Sequence, residues 1–288
     1  MSQSPSELLQ AWIRRQVPEG SSTWFGEQLE KLKSDPSDRF LDIALGMVPR
    51  RLGKDDLAVS ETDLNAAHSA RPGWDPRGWS VDAAARIVLL CSLDGDGERF
   101  AKRFSQLCQT ADVSEAIALY RGLPLYPSPE LLEAQAAEGL RTNMRAVFEA
   151  VAHNNPFPRE QFSQNRWNHM VLKALFVDSK LAPIQGLDER ANPELARILV
   201  DYAHERWAAG RSVTPELWRC VGPFADNAEI LADLEQVAKS GEAAQQKAAA
   251  LALSASPALE AKKLLGEMDP AIVKAVAERQ LTWDSLFE

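Results

Sequence analysis

Little in this chain points to a standard catalytic or metal-binding engine. It has only three cysteines, Cys91, Cys108 and Cys220. They form no C-x-x-C pair, and an odd, scattered set excludes a closed disulfide framework, so they read as small core residues. There is no apolar run of the roughly 18 residues that a spanning helix needs. The opening MSQSPSELLQAWIRRQVPEG lacks the basic, apolar, small-residue order of a secretory signal, so the expected address is the cytoplasm. Positive charge is also short: 32 Lys and Arg stand against 41 Asp and Glu, a net charge of -9. The cations are dispersed rather than gathered against a phosphate backbone, so nucleic acid is not an expected partner.

Local motifs fail one by one. AHERWAAG at 203–210 begins like H-E-x-x-H, but Ala208 stands where the second zinc-binding histidine is needed. LDGDGERF at 93–100 alternates Asp94, Asp96 and Glu98 as a calcium loop would. Arg99 and Ser105 occupy the positions that such a loop gives to Gly and Glu, so the segment reads as a turn. No G-x-S-x-G elbow, P-loop or G-x-G-x-x-G is found. Neither a metal nor a cofactor is expected.

What is present is helical. The chain is 45% hydrophobic and 25% charged over 288 residues, the composition of a folding globular protein. Capping side chains precede prolines at Ser4, Asp35, Ser128, Asn192, Thr214, Ser256 and Asp269, where the side-chain oxygen accepts a first-turn N–H and proline presets φ. Ser4 with Glu7 completes a capping box. Apolar residues recur at helical spacing, as in Phe40, Leu41, Ala44, Leu45 and Val48, or Leu132, Ala136, Leu140, Met144, Val147 and Val151. RIVLLCSL at 86–93 has the apolar run of a buried strand, but Ser80 as a cap and Ala83 to Ala85 favour a helix.

These signals predict an all-α fold of about ten to thirteen helices, in a right-handed array or solenoid-like stack of helical hairpins with no significant sheet. Residues 52–80 are the exception, an ordered connection pinned by Trp74 and Trp79 and broken by a short helix near 61–68. In a ligand-binding reading those tryptophans form a stacking platform; in a structural one they are buried anchors. Residues 1–225 read as one helical domain, with 226–288 an Ala/Leu-rich helical extension packed on it or continuous with it.

The densest polar constellation lies between His153 and Arg211. On one helix after Pro158, Phe162, Arg166, His169 and Lys173 share a stripe bordered by Asn165 and Asn168, opposite Trp167 and Met170. On the helix after Asn192, Arg197, Asp201, His204 and Glu205 face away from Leu195, Ile198, Leu199 and Tyr202. A solvated face with weak ion pairs accounts for Arg197, Asp201 and Glu205. Lys173 is set among apolar residues, where an ammonium needs a partner or a route to water. If the two helices face each other, Lys173, Arg206 or Arg211 meets Asp201 or Glu205.

Several longer segments carry a resemblance: RPGWDPRGWSVDAAARIVLL at 71–90, LYRGLPLYPSPE at 119–130, AAEGLRTNMRAVFEAVAHNNPFP at 136–158, WNHMVLKALFV at 167–177, and IQGLDERANPELARILVDYAHERWAAGRSVTPELWR at 184–219. Together the chain resembles the EboA family, encoded in bacterial ebo clusters and linked to metabolite traffic. The resemblance implies a helical protein that handles or exports a small-molecule precursor with other cluster products, among them a prenyltransferase-like membrane protein that would place it beside the inner membrane. It implies no reaction and brings no catalytic residues.

The residues and the resemblance together suggest a non-enzymatic adaptor or small-molecule binding protein. Its candidate ligand site is lined by Asn155, Trp167, Asn168, Lys173, Arg190, Asn192, Asp201, His204, Glu205, Arg206 and Arg211, whose cations and amides suit a polar or phosphorylated metabolite. The alternative is an enzyme on a polar, phosphorylated or prenylated precursor, with His204 or Glu205 as acid or base and Lys173 as stabiliser. A third is a purely structural hydrogen-bond network.

Overall fold

The computed structural model describes residues 3–34, 37–93 and 96–286. Among them are sixteen α-helices and four short 3₁₀ turns, with no strand; β-bridges are isolated residues, as between Asp56 and Ser80. The class is all-α as expected, and the helices exceed the expected number because several expected helices are broken. Contacts divide the chain into two compact units, 1–163 and 164–288.

The first unit contains α1 (Pro5–Gln16), α2 (Glu19–Ser34), α3 (Asp38–Leu52), α4 (Glu61–Ala70), α5 (Val81–Cys91), α6 (Gly97–Thr110), α7 (Val113–Arg121), α8 (Glu133–Leu140), α9 (Arg145–Ala152) and α10 (Phe157–Gln161). Its centre is α5, buried at every residue from Val81 to Leu90 and packed by α1, α3 and α7. Such a helix is apolar all round, which is why its sequence is also compatible with a buried strand. Ser80 caps it by accepting from the Ala83 N–H. Its two charges compensate each other: Arg86 Nη1 lies 2.5 Å from Asp82 and Nη2 3.5 Å from Glu115.

The connection before α5 is held as expected. The Trp12 and Trp74 rings stack at 5.7 Å, Trp74 meets Trp79 at 6.1 Å, and all three are buried. A second aromatic cluster joins Phe100, Phe104, Tyr120 and Tyr126. It leaves no room for a side chain at residue 139, where an added Cβ would sit 2.6 Å from the Tyr120 ring.

The second unit contains α11 (Gln164–Phe176), α12 (Pro193–Ala208), α13 (Ala228–Ala238), α14 (Ala243–Ala255), α15 (Leu259–Gly266) and α16 (Pro270–Ala277). Its centre is α14, whose alanines allow close approach by α13, α15, α16 and the 3₁₀ turn Pro215–Arg219. At Gly222 a Cβ would lie 2.7 Å from the Ala252 backbone.

Not every expected helix start holds. Ser4, Asn192 and Asp269 cap α1, α12 and α16. Ser128 and Thr214 precede 3₁₀ turns and make no side-chain cap; Ser256 donates to the Ala225 carbonyl, and α15 begins later, at Leu259. The Asp35 start, and Asp94 of the 93–100 turn, lie outside the described residues; Asp96 caps α6.

Two expected helices are split. The Leu132–Val151 pattern breaks between α8 and α9, where the Thr142 hydroxyl accepts from the Met144 N–H and Met144 is exposed. The helix expected to run from Pro158 breaks at Phe162, whose ring is buried edge-on to Phe157 at 6.1 Å. Burial of that ring outweighs helix continuation, so Phe162 does not share a helical stripe with Arg166, His169 and Lys173.

Candidate functional site

In the first unit a polar cleft of about 200 Å³ opens between the 71–80 segment, α7 and the end of α9. The segment supplies Asp75, Arg77 and Trp79, α7 supplies Ile117 and Arg121, and α9 with its exit supplies Ala146, Glu149, Ala150, His153, Asn154 and Asn155.

Its walls are fixed by their own hydrogen bonds. The Asp75 carboxylate accepts from the Arg77 backbone N–H at 3.0 Å and from its Nη2 at 2.6 Å. Burial pushes the Asp75 pKa up, but the hydrogen bonds from Arg77 outweigh it and the net shift is downward. Asn155 is buried and used on both sides. Its Nδ2 donates to the carbonyls of Tyr120 and Ala150, each at 3.2 Å, and its Oδ1 accepts from the Phe157 N–H at 3.0 Å. Asn154 takes a left-handed backbone, φ 49°, a conformation that asparagine tolerates better than most residues. The Glu149 carboxylate accepts from Arg145 at 2.7 Å.

Arg121 differs from these neighbours. Its Nη1 donates to the Gly78 carbonyl at 2.8 Å. Among the described residues no carboxylate lies within ion-pair distance of it, and burial pulls its pKa down. Of this lining the sequence points to Asn155, and to Trp79 in the stacking-platform reading; Arg121, Arg77, Asp75, Glu149 and Asn154 carry no such signal, although LYRGLPL, RPGWDPRGWS and AVAHNNPFP, which hold all of these but Glu149, stand among the family-like segments, and Glu149 precedes the last of them directly.

The other ten candidates lie in the second unit. Trp167 is fully buried beneath the Arg190 guanidinium, which sits 4.7 Å from the ring centroid. Arg190 Nη2 donates to Gln164 at 3.4 Å. Asn192 donates to Asn168 at 2.9 Å, receives a bond from it at 3.3 Å, and accepts from the Leu195 N–H as the α12 cap. Trp167, Asn168, Arg190 and Asn192 are thus gathered in one cluster, which fastens the end of the 178–192 loop to α11. Lys173 is half-buried on the same helix.

Along α12 the candidates separate. Asp201 pairs with Arg197 at 2.7 Å in a solvated set that includes Glu194. Arg206 turns to the Ser212 carbonyl, donating from Nε at 3.1 Å and Nη2 at 3.0 Å, rather than meeting Asp201 or Glu205. It also lines a shallow cleft of about 360 Å³ with Lys180, Tyr202 and Gln245. Glu205 and Arg211 are exposed. His204 Nε2 lies 2.8 Å from Asp233, and its ring packs against Trp207, which stacks on Trp218. Burial raises the Asp233 pKa, against the lowering effect of His204.

The cysteines are free, and burial pushes their thiols up to about 12, which favours the thiol over the thiolate at neutral pH. No group of three or more His, Cys, Asp or Glu among the described residues is arranged to hold a metal ion, and no described helix is long and apolar enough to cross a membrane.

Fold and cleft define the class: an all-α protein with a preformed polar cleft beside a helix terminus. The family model described as metabolite traffic protein EboA matches residues 5–222, and the chain belongs to that family. No curated protein and no solved structure matches it. Every residue of the Arg121 cleft falls inside the matched span, whereas Asp233 and Gln245 lie beyond it.

Proposed function

We propose that this EboA-family protein takes part in metabolite traffic as a non-enzymatic binding protein that holds a small polar metabolite in the cleft beside α7. The supporting observation is preorganisation. Asp75, Arg77, Arg121 and Asn155 are each held by hydrogen bonds within the first unit while lining a cavity of about 200 Å³. A site whose polar groups are already placed spends less ordering entropy when a ligand arrives. In this reading other ebo-cluster proteins deliver or receive the metabolite, and a prenyltransferase-like membrane partner brings the chain to the inner membrane. The exposed Glu205 and Arg211 belong to the surface offered to such a partner. The test is a thermal-shift screen of the purified chain against phosphorylated sugars, prenyl phosphates, short organic acids and neutral polyols. A ligand should raise the melting temperature in proportion to RT ln(1 + [L]/Kd). Absence of any shift across the panel would reject the binding reading.

One observation favours an enzyme as the second reading. A carboxylate 2.8 Å from His204 Nε2 suits a histidine acting as acid or base with its ring held in place. That reading requires turnover of a stabilising ligand, and loss of the turnover in His204→Ala.

A further inference from the structure

We propose that Arg121 is the anchor for an oxyanion, a carboxylate or phosphate group of the ligand bound in the cleft. The inference rests on the binding reading above and adds the ligand's chemical class.

It starts from charge balance inside the cleft. Asp75 and Arg77 pair at 2.6 Å, and Glu149, the second carboxylate of the lining, is met at 2.7 Å by Arg145, which lies outside the lining. Arg121 remains as a half-buried guanidinium whose side chain, among the described residues, bonds only the Gly78 carbonyl. A cation withdrawn from water without an opposite charge is unfavourable, and an incoming anion removes that cost. Of the five guanidinium N–H donors the Gly78 bond uses one. That bond also holds the planar fork in place, which favours two parallel bonds to a carboxylate or phosphate. His153 and Asn154 line the same cleft and supply further polar atoms.

Size narrows the class. The cavity, about 200 Å³, is smaller than the roughly 300–1,000 Å³ of typical drug-sized sites, so it suits a short acid or a phosphate head group rather than a whole large metabolite. The net charge of -9 means that the whole protein repels anions, so recognition must be local and short-ranged.

The experiment uses the full chain and four probes: inorganic phosphate, glycerol 3-phosphate, succinate and neutral glycerol, each at about 10 mM and matched ionic strength with chloride, read by melting temperature and calorimetry. At least one oxyanion should stabilise the protein while glycerol does not, and phosphate against succinate separates the two anion sources. Arg121→Gln should abolish the shift and Arg121→Lys should weaken binding by about tenfold, since lysine cannot reproduce the fork. Arg197→Gln, at an exposed position in the other unit, should leave it intact. Should Arg121→Gln fail to fold, phenylglyoxal labelling of the wild-type chain decides: saturating oxyanion should protect Arg121 but not the exposed Arg197. The proposal falls if no oxyanion binds, if Arg121→Gln keeps the shift, or if Arg121 is labelled equally with and without anion. If a neutral metabolite binds and Arg121→Gln binds it equally well, the binding reading stands and the oxyanion anchor does not.

Discussion

The Asn155 carboxamide donates to the backbone carbonyl of Tyr120 at 3.2 Å, so the exit of α9 grips α7 one residue before Arg121. The same side chain closes the Ala150 carbonyl and the Phe157 N–H. Asn155→Ala therefore removes three hydrogen bonds to backbone groups and should destabilise the protein by about 2–4 kcal/mol in urea unfolding. Asn155→Asp keeps the shape but sets a carboxylate against two carbonyls. Its destabilisation should be larger at neutral pH and shrink as the pH falls and the acid is protonated.

Gly139 tests the same region from the other side of Tyr120. Because a Cβ there would meet the tyrosine ring at 2.6 Å, Gly139→Ala should destabilise by about 1–3 kcal/mol despite its better helix propensity. A fall in Tm relative to wild type, combined with weaker binding of whichever ligand the screen finds, would tie Tyr120 packing to the cleft. Unchanged stability would mean that the ring moves freely.

Two carboxylates should give opposite pH slopes. Asp63, hydrogen-bonded by Arg15 and by Ser60 in the α4 capping box, has its pKa driven well down from 3.8 in the folded state. Its stabilisation is present above pH 3.8 and is lost as the pH falls through the lower folded value. Asp233 is shifted upward, first by burial, so the folded state holds its proton more tightly than the unfolded chain does. Its contribution is most favourable below pH 3.8 and declines as the pH rises through the raised folded value. Chemical unfolding of Asp63→Asn and Asp233→Asn against wild type between pH 3 and 7 should show the two differences running in opposite directions.

Much of the fold was legible because its causes are local. Ser4, Asn192 and Asp269 cap helices where side chain and proline say they should, and Trp74 and Trp79 pin the connection that breaks helical periodicity. The breaks at Thr142 and Phe162 were hidden because a side-chain hydrogen bond and a buried ring decide them, not propensity. The cleft was harder still. Arg121 reads in sequence as the basic last turn of an apolar helix, a common and favourable placement. That it meets the Gly78 carbonyl and, among the described residues, no carboxylate depends on a contact 43 residues away, which no spacing rule reports. Asn155 was accessible because NNP marks a turn, whereas the Asn168–Asn192 contact spans 24 residues and no spacing rule reports it.

The last prediction concerns residues 226–288. Everything they touch in the second unit argues that they complete its core. Gly222 lies against the Ala252 backbone so closely that a Cβ would sit 2.7 Å from it. Gln245 donates to the Val213 carbonyl at 2.7 Å, Ser256 to the Ala225 carbonyl at 2.5 Å, and Asp233 meets His204 at 2.8 Å. α14 also packs on the turn that carries the wholly buried Trp218. A chain truncated after Ala225 loses all of these at once and uncovers the apolar residues Leu217, Trp218 and Val221. Near-UV circular dichroism of that fragment should lose the tryptophan signal of Trp207 and Trp218, with aggregation on heating. Gly222→Ala in the full chain should destabilise in the same direction by about 1–3 kcal/mol, because backbone cannot yield as a side chain does. A truncated protein with native fluorescence and an unchanged melting temperature would show instead that 226–288 is dispensable to the family-matched span.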